Sequence, residues 1–294
     1  MAWTHAVDRW IGARPLDDPL SPDPESGLVG AVVVTGGSDG IGYEIARVCA
    51  ERGQRVVLIA RGAGRLREAV RKLRDAVPNS AVSMVTLDVT DADAPQRLLA
   101  TLSDEGLSCE VLVNNAGAGL SGAFIDAEPD DVAALLDVNV AAVTRLTHAV
   151  LPAMVRAQRG GVLNIASFGG LVPGPYQAAY YASKAFTVSL TEGLAWELRG
   201  RGVRIACLAP GPVETSFHAR MDAQTALYRR VLPAMTPRRV ARAAIAGFYG
   251  GRTLIVPGIL FAATGLLLRI VPRKMQAAAT GGLLKPRGAE RRAA

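Results

Sequence analysis

Cysteine and histidine are scarce in this chain of 294 residues, with three of each. Cys49, Cys109 and Cys207 lie far apart with no CxxC pair, which argues against a zinc site or disulfide framework and fits isolated thiols in a reducing, cytoplasmic setting. His5, His148 and His218 have no ligand spacing, so no metal is expected. Residues 1–27 carry Pro15, Pro19, Pro22 and Pro24 among acids but no continuous apolar segment, which speaks against a secretory leader. They read as a flexible arm whose Trp3, Trp10 and Ile11 pack on the body. Near the other end, the uncharged run 258–268 falls short of the roughly 20 residues that a bilayer span needs. Basic charge is not spread over the chain either. From Arg269 onward seven basic residues face one acid, Glu290, so +6 of the net +7 sits in that tail and no nucleic-acid groove is expected.

What is present can build a core, since half the residues are apolar and 20% are charged. Val29–Thr35 is a β-branched run of the kind buried on both faces. It leads through Thr35, Gly36, Ser38, Asp39, Gly40, Ile41 and Gly42 into a helical stretch. A glycine-rich turn between strand and helix lets the backbone approach a pyrophosphate and aims a helix N-terminus at it. A second strand, 55–60, ends on Ala60 and Arg61 with Arg65 a turn later, where an NAD site would usually place a carboxylate. Guanidinium groups there suit the 2′-phosphate of NADP(H), with NAD(H) left as the alternative. Asp88 and Val89 end the third strand; Asp88 is placed to accept from an adenine amine or to cap the next helix. Asn115, Ala116 and Gly117 follow the fourth strand, as small residues that line a cofactor would. Pro210, Gly211, Val213 and Thr215 follow a later strand and open a lid of about 212–240. Strands alternating with helices predict an α/β fold, a Rossmann-type doubly wound parallel sheet in a single domain over 28–257.

The chemistry gathers around Tyr180 and Lys184. Four residues apart on a helix predicted over 178–198, they share one face. An ammonium beside a phenol favours phenolate and lowers the tyrosine pKa, suiting it to proton transfer. Ser167 ends an apolar strand and faces the same pocket, ready to fix a carbonyl. Asn139 lies among apolar neighbours in a long helix predicted over 130–156, either holding a water that relays protons to Lys184 or bonding only backbone. Tyr181 points about 100° away from Tyr180 on the helix, so Tyr180 is the expected acid.

TGGSDGIG (35–42), NNAG (114–117), Asn139, Ser167, YxxxK (180–184) and PGPVET (210–215) occur in the order and approximate spacing of the short-chain dehydrogenase/reductase family, which the chain resembles over about 28–257. That resemblance implies an NAD(P)-dependent oxidoreductase acting on an alcohol/carbonyl pair. Tyr180 would be proton donor and acceptor, and Lys184 would lower its pKa and hold the nicotinamide ribose. Ser167 would orient the substrate oxygen, and Asn139 would complete the relay. A homodimer through the 130–156 and 178–198 helices is implied too. Asp39 departs from the basic residue many NADP-dependent members carry in the glycine loop.

After residue 257 the sequence leaves the family pattern. The stretch 258–276 reads as one apolar, basic helix that covers the cleft, mediates dimerisation or lies peripherally on a membrane, and 277–294 as a disordered basic tail. The extension looks like those of family members acting on lipid-like ketones, which implies a large apolar substrate, an acyl- or sterol-like ketone; Phe217, Met221, Leu227 and Met235 in the lid either agree with this or belong to the core. Two alternatives stand beside a reductase: a cofactor-binding regulatory protein with little turnover, and an isomerase or dehydratase on the same fold.

Overall fold

The computed structural model describes residues 26–217, 221 and 227–285. The expected arm up to residue 25, most of the lid tip and residues 286–294 lie outside the described residues. Seven strands run β1 (Val29–Thr35), β2 (Val56–Ala60), β3 (Val82–Thr86), β4 (Leu107–Asn114), β5 (Gly161–Ile165), β6 (Arg204–Leu208) and β7 (Leu254–Ile255). All pair parallel, in the order β3-β2-β1-β4-β5-β6-β7. The α-helices of eight residues or more are α1 (Gly40–Glu51), α2 (Ala63–Ala76), α3 (Ala94–Asp104), α4 (Pro129–Leu136), α5 (Ala142–Arg156), α6 (Ala178–Glu197), α7 (Pro237–Tyr249), α8 (Ile259–Leu267) and α9 (Arg273–Leu284).

Because side chains alternate across a strand, β1 feeds two cores at once. Val32 and Val34 join Ile45 of α1 and Phe248 of α7 on one face, while Ala31 and Val33 join Leu98 of α3 and Leu146 of α5 on the other. This is the doubly wound sheet expected from the sequence. Strand order reverses between β1 and β4, and the crevice at that switch is where open α/β sheets bind ligands. The helical run 129–156 is long and apolar enough to cross a bilayer, but Leu146, Val150 and Met154 are core residues and account for that composition.

Two helical expectations are revised. The long helix predicted over 130–156 is interrupted by a π-helical turn at Asp137–Ala141, which contains Asn139; such turns favour functional positions. The single C-terminal helix predicted over 258–276 is two helices. Pro272 caps α9 and cannot continue α8, and the amide of Gln276 ties them by donating to Leu268 O and Val271 O, both at 2.8 Å. The predicted tail is also helical as far as Leu284, because this end has somewhere to pack. Leu284 is buried, and the Thr280 hydroxyl donates to Pro173 O at 2.6 Å.

Candidate active site

The glycine turn after β1 owes its shape to two residues. Gly36 and Gly40 have φ of 63° and 58°, which side chains rarely adopt. A Cβ on Gly36 would also stand 2.9 Å from the Asn115 amide nitrogen and 3.0 Å from Ala116 Cα. Asn115 is the latch across that gap, its amide donating to Thr35 O at 2.9 Å and Gly36 O at 3.1 Å. The Thr35 hydroxyl donates to Val113 O and accepts from the backbone N–H groups of Asn115 and Ala116. Asp39 caps α1, accepting from Gly40 N at 2.7 Å, and also accepts from the Ser216 hydroxyl. Its carboxylate is thereby committed to the turn and to the start of the lid.

A cavity of about 590 Å³ runs along the strand ends. At one mouth stand the exposed Arg61 and Arg65. Arg61 lies 3.5 Å from Asp88, whose other oxygen accepts from the Thr90 backbone and hydroxyl. Burial alone would raise the Asp88 pKa; the Thr90 bonds and Arg61 outweigh it and hold the carboxyl below its usual range. Ser38, Asp39, Gly40, Ile41, Val89, Asn115, Ala116 and Gly117 also line the cavity. Pro210, Gly211, Val213 and Thr215 form the facing wall, where a Cβ on Gly40 would come 3.2 Å from Thr215 Cγ2. Three predicted site residues stay behind the wall: Thr35, Gly42 and Asn139 do not line the cavity. Thr35 is spent on the latch, and a Cβ on Gly42 would lie 2.3 Å from the Asn115 amide nitrogen.

At the far end Ser167, Tyr180 and Lys184 meet. A buried polar chain fixes the helix that bears the last two. The Asn114 amide donates to Thr147 at 3.0 Å and Asn164 at 2.8 Å, and the Asn164 amide donates to Thr191 of α6 at 2.9 Å. Ser167 accepts from Gly169 N at 3.1 Å and hydrogen-bonds Tyr180. Asn139 is fully buried; its oxygen accepts from Ala118 N and its amide donates to Ala118 O and Ser183. Its side chain thus bonds the Ala118 backbone and one side chain, the Ser183 hydroxyl. Tyr181 fills the space left by Gly169 and Gly174, where a Cβ would come within 2.9 and 2.2 Å of its ring.

The electrostatics correct one expectation. Burial pushes Tyr180 up to about 12, with Tyr228 adding and the Ser167 bond opposing. Burial pulls Lys184 down to about 8, against the influence of Cys207. The ammonium does not hold the phenol low. It stands 5.9 Å from the ring centre and donates to Ile165 O at 3.0 Å, so desolvation wins.

What buries Tyr180 was mostly not foreseen. Phe217 and Met221 were expected, but Tyr228 and Leu284 complete the cluster over it. Phe261 of α8 anchors this roof, seated against Gly211 and meeting Phe168 edge-on at 5.4 Å between ring centres. The glycine at position 211, in a loop with a phenylalanine fifty residues later, was a signal visible only after folding.

The sequence model described as "short chain dehydrogenase" matches residues 30–226, two thirds of the chain. The chain belongs to the short-chain dehydrogenases. It is 35% identical over 190 residues to an uncharacterised oxidoreductase of Staphylococcus saprophyticus, a match covering 65% of this chain and 81% of that one. Among solved structures, a short-chain dehydrogenase from Sphingobium yanoikuyae in complex with NADPH is similar with a TM-score of 0.72, 28% identity and coverage of 83% and 97%. A bulky-bulky ketone specific alcohol dehydrogenase from Comamonas testosteroni has a TM-score of 0.67, 26% identity and coverage of 83% and 95%. This short-chain dehydrogenase is thus an oxidoreductase with a parallel seven-stranded sheet, and two helices, α8 and α9, follow the last strand.

Proposed function

We propose that the protein interconverts a bulky apolar ketone and its secondary alcohol, using NADP(H) in preference to NAD(H). The observation that carries this reading is the shape of the cavity. It is one trough with an open, arginine-bearing mouth, a glycine-lined middle and an apolar vault above Tyr180. A dinucleotide fits the first two parts: Gly36 and Gly117 leave backbone exposed where a Cβ would collide, and α1 points its N-terminus into the trough. Arg61 and Arg65 would hold a 2′-phosphate, and Thr215 would close over the diphosphate. Asp39 is turned to its cap and to Ser216, so it does not oppose that phosphate. When bound, the nicotinamide supplies the hydride.

The chain's own residues supply the rest. In the reducing direction the protonated Tyr180 phenol donates to the substrate carbonyl oxygen, and the Ser167 hydroxyl donates to the same oxygen to fix it. A tyrosine near pKa 12 is fully protonated at neutral pH, the form that reduction consumes. Lys184 holds the strand end through Ile165 O and stands ready to bind the nicotinamide ribose. Asn139 positions this group indirectly, joining the Ala118 loop to Ser183 one residue before Lys184. Phe217, Met221, Tyr228 and Leu284 exclude water and favour an apolar substrate. The resemblance to a bulky-ketone enzyme supports the same substrate class. A second copy would cover the exposed Phe186 and Trp196 of α6, in keeping with a homodimer.

NADPH oxidation against ketones graded from short and polar to long and apolar tests the reading, with NADH and Tyr180→Phe as controls. Turnover that rises with apolar size and vanishes in Tyr180→Phe is expected. Preference for small polar ketones would overturn the substrate class, and NADPH binding with no turnover of any ketone would favour a regulatory role.

A further inference from the structure

The C-terminal helices expose large apolar side chains to solvent. Ile259, Leu260, Leu266 and Leu267 fall at i, i+1, i+7 and i+8, one stripe of α8, and Ile270 follows in the turn after it. They are 83%, 56%, 67%, 58% and 81% exposed, whereas Phe261 on the opposite side is 5% exposed. Met275, 62% exposed, extends the stripe into the first turn of α9. Single exposed apolar residues are ordinary, but a contiguous stripe marks a contact surface. Three exposed cations, Arg269, Arg273 and Lys274, sit where the stripe crosses from α8 to α9. Not one Asp or Glu occurs between residues 223 and 289, so this charge has no local neutralisation in the sequence.

We propose that this face docks on an anionic lipid bilayer, its apolar stripe in the headgroup–acyl boundary and its three cations against lipid phosphates. The charge selects this occupant. A self-complementary contact with a second copy through the stripe would bring the cationic cluster against itself. An anionic bilayer satisfies both the stripe and the cluster at once. The same helices turn Phe261, Leu283 and Leu284 towards the cavity, so one element joins a lipid surface to the apolar vault. Docking itself does not depend on which substrate the vault takes.

Co-sedimentation of the full chain with phosphatidylcholine vesicles, with and without phosphatidylglycerol, tests this directly. Pelleting with the anionic vesicles, weakened by salt and weak on neutral ones, is expected. Arg269→Gln/Arg273→Gln/Lys274→Gln should lower partitioning roughly 100-fold, about fivefold per charge removed. Leu266→Ser/Leu267→Ser/Ile270→Ser should abolish pelleting while leaving the thermal melt and the turnover of a water-soluble ketone unchanged. No pelleting on either vesicle overturns the proposal, as does pelleting that ignores both sets of substitutions. If the serine variant instead turns a dimer into a monomer in analytical ultracentrifugation, the stripe belongs to a second copy and the proposal fails.

Discussion

The two halves of the cleft are built by different physics. The cofactor half is a hydrogen-bonded scaffold: Asn115 and Thr35 pin the loop after β4 to the glycine turn after β1, and Asp39 ties that turn to the start of the lid. The substrate half is a vault of side chains held by contact, in which Phe217, Met221 and Tyr228 of the lid meet Leu284 of the C-terminal helix. A directional scaffold fixes geometry and tolerates little change of residue. A dispersive vault fixes polarity and volume, and can be reshaped. The first half suits an invariant ligand, and the second a substrate that differs between relatives.

Breaking the junction of the halves should have the largest effect. Tyr180→Phe removes the α6 hydroxyl that hydrogen-bonds Ser167 and should lower kcat by about 10²–10⁴-fold. NADPH affinity, followed by nucleotide fluorescence, should stay within a few-fold of wild type. Loss of binding along with turnover would mean that Tyr180 belongs to the scaffold.

Within the cofactor half, Arg61→Ala should weaken NADPH by about 10–100-fold, the range for a hydrogen bond to a charged group, and leave NADH nearly unchanged. Equal weakening of both nucleotides would assign Arg61 to the adenine or to the Asp88 pair instead. Gly36→Val should act on both nucleotides alike and lower stability, since it combines a positive φ with a contact inside 3.0 Å.

A gentler probe of the vault is Leu284→Ala. Truncating this buried side chain should cost about 1–3 kcal/mol of binding for long apolar ketones, read as a higher KM, with NADPH affinity unaltered. A change in nucleotide affinity would show that the halves are not separable.

This division also explains what the sequence disclosed. The sheet, the glycine turn and the Ser167–Tyr180–Lys184 set were legible because each is written in a local run of residue types. Thr35, Gly42 and Asn139 belong to the same local patterns, and only the fold reveals that they stand behind the cavity wall. Tyr228, Phe261 and Leu284 were missed as roof residues because an apolar side chain in a lid or terminal helix reads the same whether it covers a substrate or a core. Residues 277–284 of α9 were read as a tail because their alanines and glycines carry no strong periodicity; their order comes from Thr280, Gly281 and Leu284 meeting the body.

The smallest effect concerns the charge on Lys184, which belongs to both halves. Its pKa in the folded protein is about 8, against 10.5 for the unperturbed group. Below pH 8 folded and unfolded chains both hold the proton, and the folded state bears the full cost of burying the cation. Between pH 8 and 10.5 the unfolded chain retains a proton that the folded chain has released, so stability rises with pH. The slope approaches about 1.4 kcal/mol per pH unit for one proton. Tyr180 has the opposite sign, because its raised folded pKa lowers stability as pH climbs from 10 towards 12. Burial also raises the Cys49, Cys109 and Cys207 thiols to about 12, which lowers stability above about pH 9 in wild type and variant alike, so the difference between the two curves over pH 8 to 10 isolates Lys184. Urea melts of the wild type and Lys184→Met across that range should converge as pH rises, the variant being the more stable at pH 7 by about 1–3 kcal/mol. Parallel curves would mean that Lys184 keeps its proton throughout, and that its bond to Ile165 O offsets the desolvation that the vault imposes.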